Sequence, residues 1–472
     1  MSFDEQKSSV REGRKREAKT YQFKALLQQT GWISPGYIGI DDQGIIQSIS
    51  AVPTQDTHLV DRVNGFALPG FQNAHSHAFQ FAMAGMAEKH DVNTVDDFWS
   101  WREAMYDCAL TMDPGQMQAV ATMLYAEMLK RGYTHVAEFQ YLHHNKNGTP
   151  YDRQAEMSAS LIAAAAVAGI RITLVPVFYQ KGGFGKDAGA QQRRFCFQSV
   201  DQYLHLLDEC GALVKNFSTA HLGFGVHSLR AAEGEDIIRV VNDGPKGIPF
   251  HIHAAEQLKE VNDALGFLKE RPVEWLLNHL PLSDRFHLIH CTHLTDDEVV
   301  RLAKSLAHVV LCPGTEANLG DGIFRLTDFA RHSNHWSIGT DSHISLNPLE
   351  DLRWLDYTQR LTTHRRNTFA DGASRLVNST FFSGKKAMGL SCADYFEVGK
   401  PLDAVIYNGD SPLLNTAGEE HLLPTLVYTA DGSSVAGTIV DGSWIAREAH
   451  HNHEEEILKD FQIALKKISR EA

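Results

Sequence analysis

Between residues 67 and 341 one unit recurs eight times: a short apolar run that ends on a polar residue, followed by a stretch of helical period. The runs lie at 67–77, 134–141, 171–179, 222–227, 248–253, 286–290, 308–312 and 336–341. Strands buried on both faces read as continuous apolar runs, and parallel neighbours need long crossovers that helices supply. Eight such units predict an α/β fold, a (β/α)8 TIM-type barrel. The intervening punctuation agrees. Asp113 is placed as an N-cap with Pro114 at the first helical position and Gly132 past the end, Thr295 and Glu298 form a capping-box pattern, and Asn347-Pro348 opens another helix.

The flanks have a different character. Residues 21–63 read as a small meander with a turn at Asp41-Asp42-Gln43-Gly44, and strand-like runs return at 403–407, 425–428 and 435–440 with turns at Asp431-Gly432 and Asp441-Gly442. Neither piece alone buries a useful core, so 21–66 and 394–449 are expected to pack together as a small β-sandwich module beside a barrel of 67–393. Residues 1–20, charged and without an apolar stretch, are expected to be a mobile tail, and 450–472 a C-terminal helix. The net charge of −14 argues against a nucleic-acid partner, and no run reaches the ~18 apolar residues of a membrane span. Six scattered cysteines suggest a reducing, cytoplasmic setting.

In a barrel of this type the chemistry gathers at the C-terminal strand ends. The first run ends in His75-Ser76-His77, and residues i and i+2 of a strand share a face, so the two imidazoles can hold one transition metal such as zinc. His253 ends the fifth run and is the expected third ligand, with His251 one pleat deeper as a core histidine. Glu256, three residues on, suits a general acid or base beside the metal. His290 ends the sixth run and is expected to orient or deprotonate a water. Asp341 ends the eighth and offers an oxygen ligand that also accepts a proton. A His3Asp set admits nickel, iron or manganese as well as zinc. The reaction class is metal-assisted hydrolysis.

This order of motifs resembles the amidohydrolase superfamily, in particular its mononuclear deaminase branch, in which His75, His77, His253 and Asp341 would bind one zinc ion. No acidic residue or lysine ends the fourth run, Val226-His227-Ser228, where binuclear members carry a bridging group. The segments Asn73 to Gln80, Asp97 to Glu103, Glu138 to His144, Gly225 to Arg230 and Gly339 to Arg360 are similar to those of the formimidoylglutamate deiminases. The resemblance implies hydrolysis of N-formimidoyl-L-glutamate to N-formyl-L-glutamate and ammonia in histidine degradation, with Gln80, Arg102, Tyr141, His227 and Arg230 contacting a dicarboxylate substrate. It also implies a homodimer, and catalytic roles for Glu256, His290 and Asp341. Two guanidinium groups near the barrel mouth fit two carboxylates. Phe81 departs from the family's basic residue and is expected to face away from the substrate. The alternatives are a deaminase of a cyclic amidine on the same metal site, which gives Arg102 and Arg230 no substrate carboxylate to meet, and a barrel that serves only as a scaffold.

Overall fold

A computed structural model describes residues 17–53, 60–88 and 98–471. Eight parallel strands form the barrel: β1 (Phe71–Ser76), β2 (Tyr133–Gln140), β3 (Arg171–Phe178), β4 (Phe224–Ser228), β5 (Phe250–Ala254), β6 (Phe286–His290), β7 (His308–Leu311) and β8 (Trp336–Ile338). Each pairs with the next in chain order. The expected fold class is therefore present. Helices cover the outside, and three of them begin at the caps read from the sequence. Asp113 accepts from Gln116 N while Gln116 Oε1 accepts from Asp113 N, Thr295 and Glu298 form the second box, and Asn347 caps the helix Pro348–Thr363.

The barrel closes between β1 and the residues just past β8. Asp341 N donates to His75 O at 3.0 Å and His77 N donates to Asp341 O at 3.3 Å. Asn73 reinforces the seam: its Oδ1 accepts from Thr340 N at 2.9 Å and its Nδ2 donates to Thr340 Oγ1 at 2.7 Å. Gly339 lets the two backbones meet, since a Cβ there would lie 2.7 Å from His75 Cβ and 2.8 Å from His75 N.

The terminal segments come together in one β module. Strand Lys19–Gln28 pairs in parallel with Val60–Pro69, which pairs antiparallel with Ala404–Asn408, and all nine strands belong to one hydrogen-bonded sheet. Two local expectations differ. Residues 67–69 belong to the module strand Val60–Pro69, and Gly70 turns the chain into β1, where a Cβ would lie 2.3 Å from Thr134. Residues 425–428 are not a strand but part of the helix Glu419–Thr429, whose buried Leu422, Leu423, Leu426 and Val427 recur at helical spacing. Of the expected tail, residues 1–16 lie outside the described residues, and Lys19 already begins a strand.

Module and barrel are clamped at the N-terminal end of β3. Arg171 donates through Nε to Asp403 Oδ2 at 2.7 Å and pairs with Asp441 through Nη2. The helix Glu454–Glu471 packs on Pro114–Lys130, and Lys130 Nζ meets Glu454 Oε1 at 2.7 Å. Among the described residues no helix is long and apolar enough to cross a membrane.

The seam yields a prediction. Gly339→Ala forces a Cβ into the His75 backbone and should cost about 1–3 kcal/mol, the usual penalty of overpacking. The expected results are a lower Tm by calorimetry and reduced metal retention, because the displaced strand carries His75.

Candidate metal centre and substrate pocket

Three imidazoles converge at the C-terminal mouth of the barrel. His75 Nε2 lies 3.1 Å from His77 Nε2 and 3.0 Å from His253 Nε2. The Nδ1–H of His77 donates to Phe139 O and that of His253 to His227 O, both at 2.9 Å. These two rings therefore turn a bare Nε2 inward, toward His75 Nε2. Burial, with the neighbouring histidine, pushes His75 down to about 3, and His77 and His253 are also lowered by burial, so the rings are neutral. Lone pairs this close repel one another unless a cation lies between them. Asp341 completes the group, with Oδ1 3.3 Å from His77 Nε2 and 3.6 Å from His75 Nε2. Burial opposes ionisation of Asp341, yet His75, His77 and His290 hold its carboxyl below the usual range. Three neutral imidazoles and one carboxylate are the donor set of a divalent transition metal, so the residues fit the ion expected from the sequence.

His290 stands beside this group, its Nε2 3.7 Å from Asp341 Oδ2 and 3.7 Å from Glu256 Oε1. Its Nδ1–H donates to Glu316 Oε1 at 3.2 Å. Burial alone would lower this histidine, but Glu256, Glu316 and Asp341 raise it to about 10. Burial pushes the Glu256 carboxyl up, against the pull of His290 and Arg230, and Arg230 Nη2 donates to Glu256 Oε2 at 3.3 Å. His290 and Asp341 also hold positive φ, +69° and +48°, a conformation rare for residues with side chains.

One pocket adjoins these groups. It is lined by His77, Gln80, Trp101, Arg102, Met105, Tyr106, Tyr141, Tyr179, Phe195, His227, Arg230, His253, Glu256, Leu319 and Asp341. All five residues anticipated as substrate contacts face it. Gln80 Nε2 donates to Tyr141 Oη at 3.0 Å, and the Arg102 guanidinium lies 5.5 Å from the centroid of the Tyr106 ring. Both arginines depress His227, after burial itself, so their charges reach the same ring.

The sequence profile of the Amidohydrolase family matches residues 66–445. The chain belongs to the amidohydrolase family. The chain is 38% identical over 444 residues to the formimidoylglutamate deiminase of Pseudomonas aeruginosa, an alignment covering 93% of this chain and 96% of that protein. It is 26% identical to a 5-methylthioadenosine/S-adenosylhomocysteine deaminase of Halobacterium salinarum over 90% of this chain and 91% of the other. Among solved structures, an amidohydrolase from Brucella melitensis superposes with a TM-score of 0.88 at 37% identity, covering 96% of this chain and all of that one. A zinc-bound adenosine deaminase from Xanthomonas campestris shares the fold with a TM-score of 0.79 at 18% identity, covering 97% and 100% of the two chains.

Several further residues of this amidohydrolase shape the site. Glu138, at the end of β2, supports the ligand strand from behind: it accepts from Ser76 Oγ at 2.7 Å, Ala78 N at 2.6 Å and Tyr125 Oη at 3.0 Å. Burial raises it to about 7 against those three donors. Glu316, which holds His290, and Trp101, Met105, Tyr106 and Phe195 of the pocket wall come from helices and loops, and their sequence surroundings carry no strand-end signal. Tyr179 does end a run. Phe81 lies outside the pocket and packs against Phe461 of the C-terminal helix, 5.7 Å between centroids. His251 is a core histidine: buried, its Nε2 3.1 Å from Ala387 O, and stacked on His287. Burial raises the Cys291 and Cys312 thiols well above their usual range, which keeps them neutral and poor nucleophiles. The motif residue Asp97 lies outside the described residues.

Replacing His253 by Ala should reduce bound divalent metal from one equivalent to less than about a tenth, because a missing ligand at a four-ligand site costs most of its affinity. Elemental analysis after dialysis, with circular dichroism to check the fold, measures this directly.

Proposed function

We propose that this amidohydrolase hydrolyses N-formimidoyl-L-glutamate to N-formyl-L-glutamate and ammonia, a step of histidine degradation, with zinc as its metal. The observation that carries the proposal is the pairing of Arg102 and Arg230 in one pocket with the proton-transfer groups Glu256, His290 and Asp341. Two guanidinium groups match a substrate with two carboxylates, and the amidine carbon then falls between them and the ligand cluster. The 38% identity to the Pseudomonas aeruginosa formimidoylglutamate deiminase supports the same substrate.

A zinc ion bound by His75, His77, His253 and Asp341 supplies Lewis acidity and lowers the pKa of a water to about 7. The chain's own groups do the rest. Arg230 and Arg102 hold the two carboxylates, while Gln80, Tyr141 and His227 border the formimidoyl group and orient it. Asp341 accepts the proton released as water oxygen bonds to the amidine carbon. His290, 3.7 Å from both Asp341 and Glu256, orients that water and stabilises the charge that develops there. Glu256 delivers a proton to the imino nitrogen, and a second proton transfer releases that nitrogen as ammonia and leaves the formyl amide. Amidine and water are consumed, and amide and ammonia are formed, so the atoms balance.

A cyclic amidine such as a nucleobase would leave Arg102 and Arg230 facing a ligand without carboxylates, which disfavours that alternative. The same family resemblance carries a homodimer, and six unpaired cysteines support a reducing, cytoplasmic setting.

An ammonia-release assay tests the substrate: turnover of N-formimidoyl-L-glutamate is expected well above that of its aspartate analogue and of guanine, and preference for guanine would reverse the assignment. Glu256→Gln should lower kcat by about 10²- to 10⁴-fold, the usual worth of a general acid or base. Arg230→Met should act mainly on KM, raising it about 10- to 100-fold, as expected for a lost hydrogen bond between charged groups. An unchanged kcat/KM in Arg230→Met would refute the carboxylate clamp.

A further inference from the structure

Gln192 lies outside the set of residues anticipated from the sequence. It ends the short turn Ala190–Gln192 on the arm that follows β3, and it is 5% exposed. Its Oε1 accepts from Gly189 N at 2.9 Å. That backbone donor settles which end of the amide is which, so Nε2 faces the other way. There the two N–H groups go to two phenols, Tyr179 Oη at 2.7 Å and Tyr106 Oη at 3.2 Å. A phenol oxygen that accepts a hydrogen bond keeps its own O–H to donate elsewhere. Both tyrosines line the pocket that holds Arg102 and Arg230, and the charges of both arginines reach Tyr179.

The arm that carries Gln192 is firmly held. Arg194, fully buried, donates through Nε to His144 O at 2.9 Å and through Nη1 to Met112 O at 2.6 Å, while its own carbonyl accepts from the backbone N–H of His143 and His144. Gln192 N donates to Gly189 O at 3.0 Å and Phe195 N to Gln192 O at 2.9 Å. The amide is therefore presented by a rigid segment, and the tyrosine pair inherits its orientation.

We propose that Gln192 is a positioning residue that makes Tyr106 and Tyr179 paired hydrogen-bond donors to the carboxylates of the substrate, so that this end of the pocket offers donors only and selects dianionic ligands. The assignment rests on the dicarboxylate substrate proposed above. Its physical content is a proton direction. With an amide N–H behind them the phenols point their protons at the ligand beside two guanidinium groups, and with an acceptor behind them the same phenols would turn those protons away. A donor-only wall leaves buried donors unpaired when an uncharged ligand enters, which is how such a site rejects it.

Gln192→Glu is the test, because it keeps the shape and the acceptor for Gly189 N while reversing the hydrogen bonds to both phenols. In the zinc-loaded enzyme, KM for N-formimidoyl-L-glutamate should rise about 10- to 100-fold, the worth of hydrogen bonds to a charged group, with kcat within about twofold and an unchanged Tm. Glutarate, used as a non-reacting dicarboxylate in calorimetry, should bind the variant more weakly by a similar factor. In a Tyr106→Phe/Tyr179→Phe background the same substitution should change KM by no more than about twofold, since no phenol protons remain to redirect. A full-sized increase in that background would assign the effect to direct charge repulsion and overturn the proposal, as would an unchanged KM in the single variant or a loss confined to kcat. If the wild-type enzyme binds glutarate but does not turn over N-formimidoyl-L-glutamate, the substrate assignment fails while the donor wall stands. If the wild type does not bind glutarate, the donor wall itself is refuted.

Discussion

The seam between β1 and the end of β8 is the contact on which the site depends. Parallel strands close a barrel only if the last meets the first in register, and here that register is held by backbone hydrogen bonds between His75, His77 and Asp341. The same three residues offer candidate ligand atoms. Barrel closure therefore also brings three of the four candidate ligands together, and Asn73, Thr340 and Gly339 act on both. The fold cannot form with the ligands misplaced by a residue, because a slip of one position turns every strand side chain to the opposite face.

Electrostatically the mouth of the barrel is divided. At one side three neutral imidazoles and the Asp341 carboxylate leave a concentration of lone pairs, and the carboxyl groups of Glu256 and Glu316 stand beside His290. At the other side Arg102 and Arg230 stand among tyrosines. The two halves touch where Arg230 meets Glu256. A molecule with an electrophilic carbon at one end and carboxylates at the other is complementary to this division, and burial strengthens both halves because little water screens them. The β module contributes from the opposite end of the barrel. Arg171, paired with Asp403 and Asp441, ties β3 to strands that come from the two ends of the chain.

The barrel and the candidate ligand cluster were legible in the sequence because both follow from local chemistry. Apolar runs with polar ends mark strands, and His-x-His on a strand puts two rings on one face. The errors have physical causes as well. Three of residues 425–428 are β-branched or aromatic, yet Leu422, Leu423, Leu426 and Val427 bury one helical face. Residues 67–69 and β1 are one apolar run by composition, and Gly70, packed against Thr134, is where the chain leaves one sheet for the other. Glu316 reaches His290 from a helix after β7, and Gln192 reaches two phenols from an arm after β3. Neither position differs in composition from an ordinary capping or surface residue.

The sequence by itself determined the eightfold alternation and the order of the histidines and Asp341 along it, since these depend on residue type and on spacing within single strands. Only the tertiary structure decided which nitrogen of each ring faces inward, that carboxylates from three separate elements surround His290, and that the amide of Gln192 lies behind Tyr106 and Tyr179. Those features depend on distances between segments far apart in the chain, and on hydrogen bonds whose direction is set only when both partners are in place.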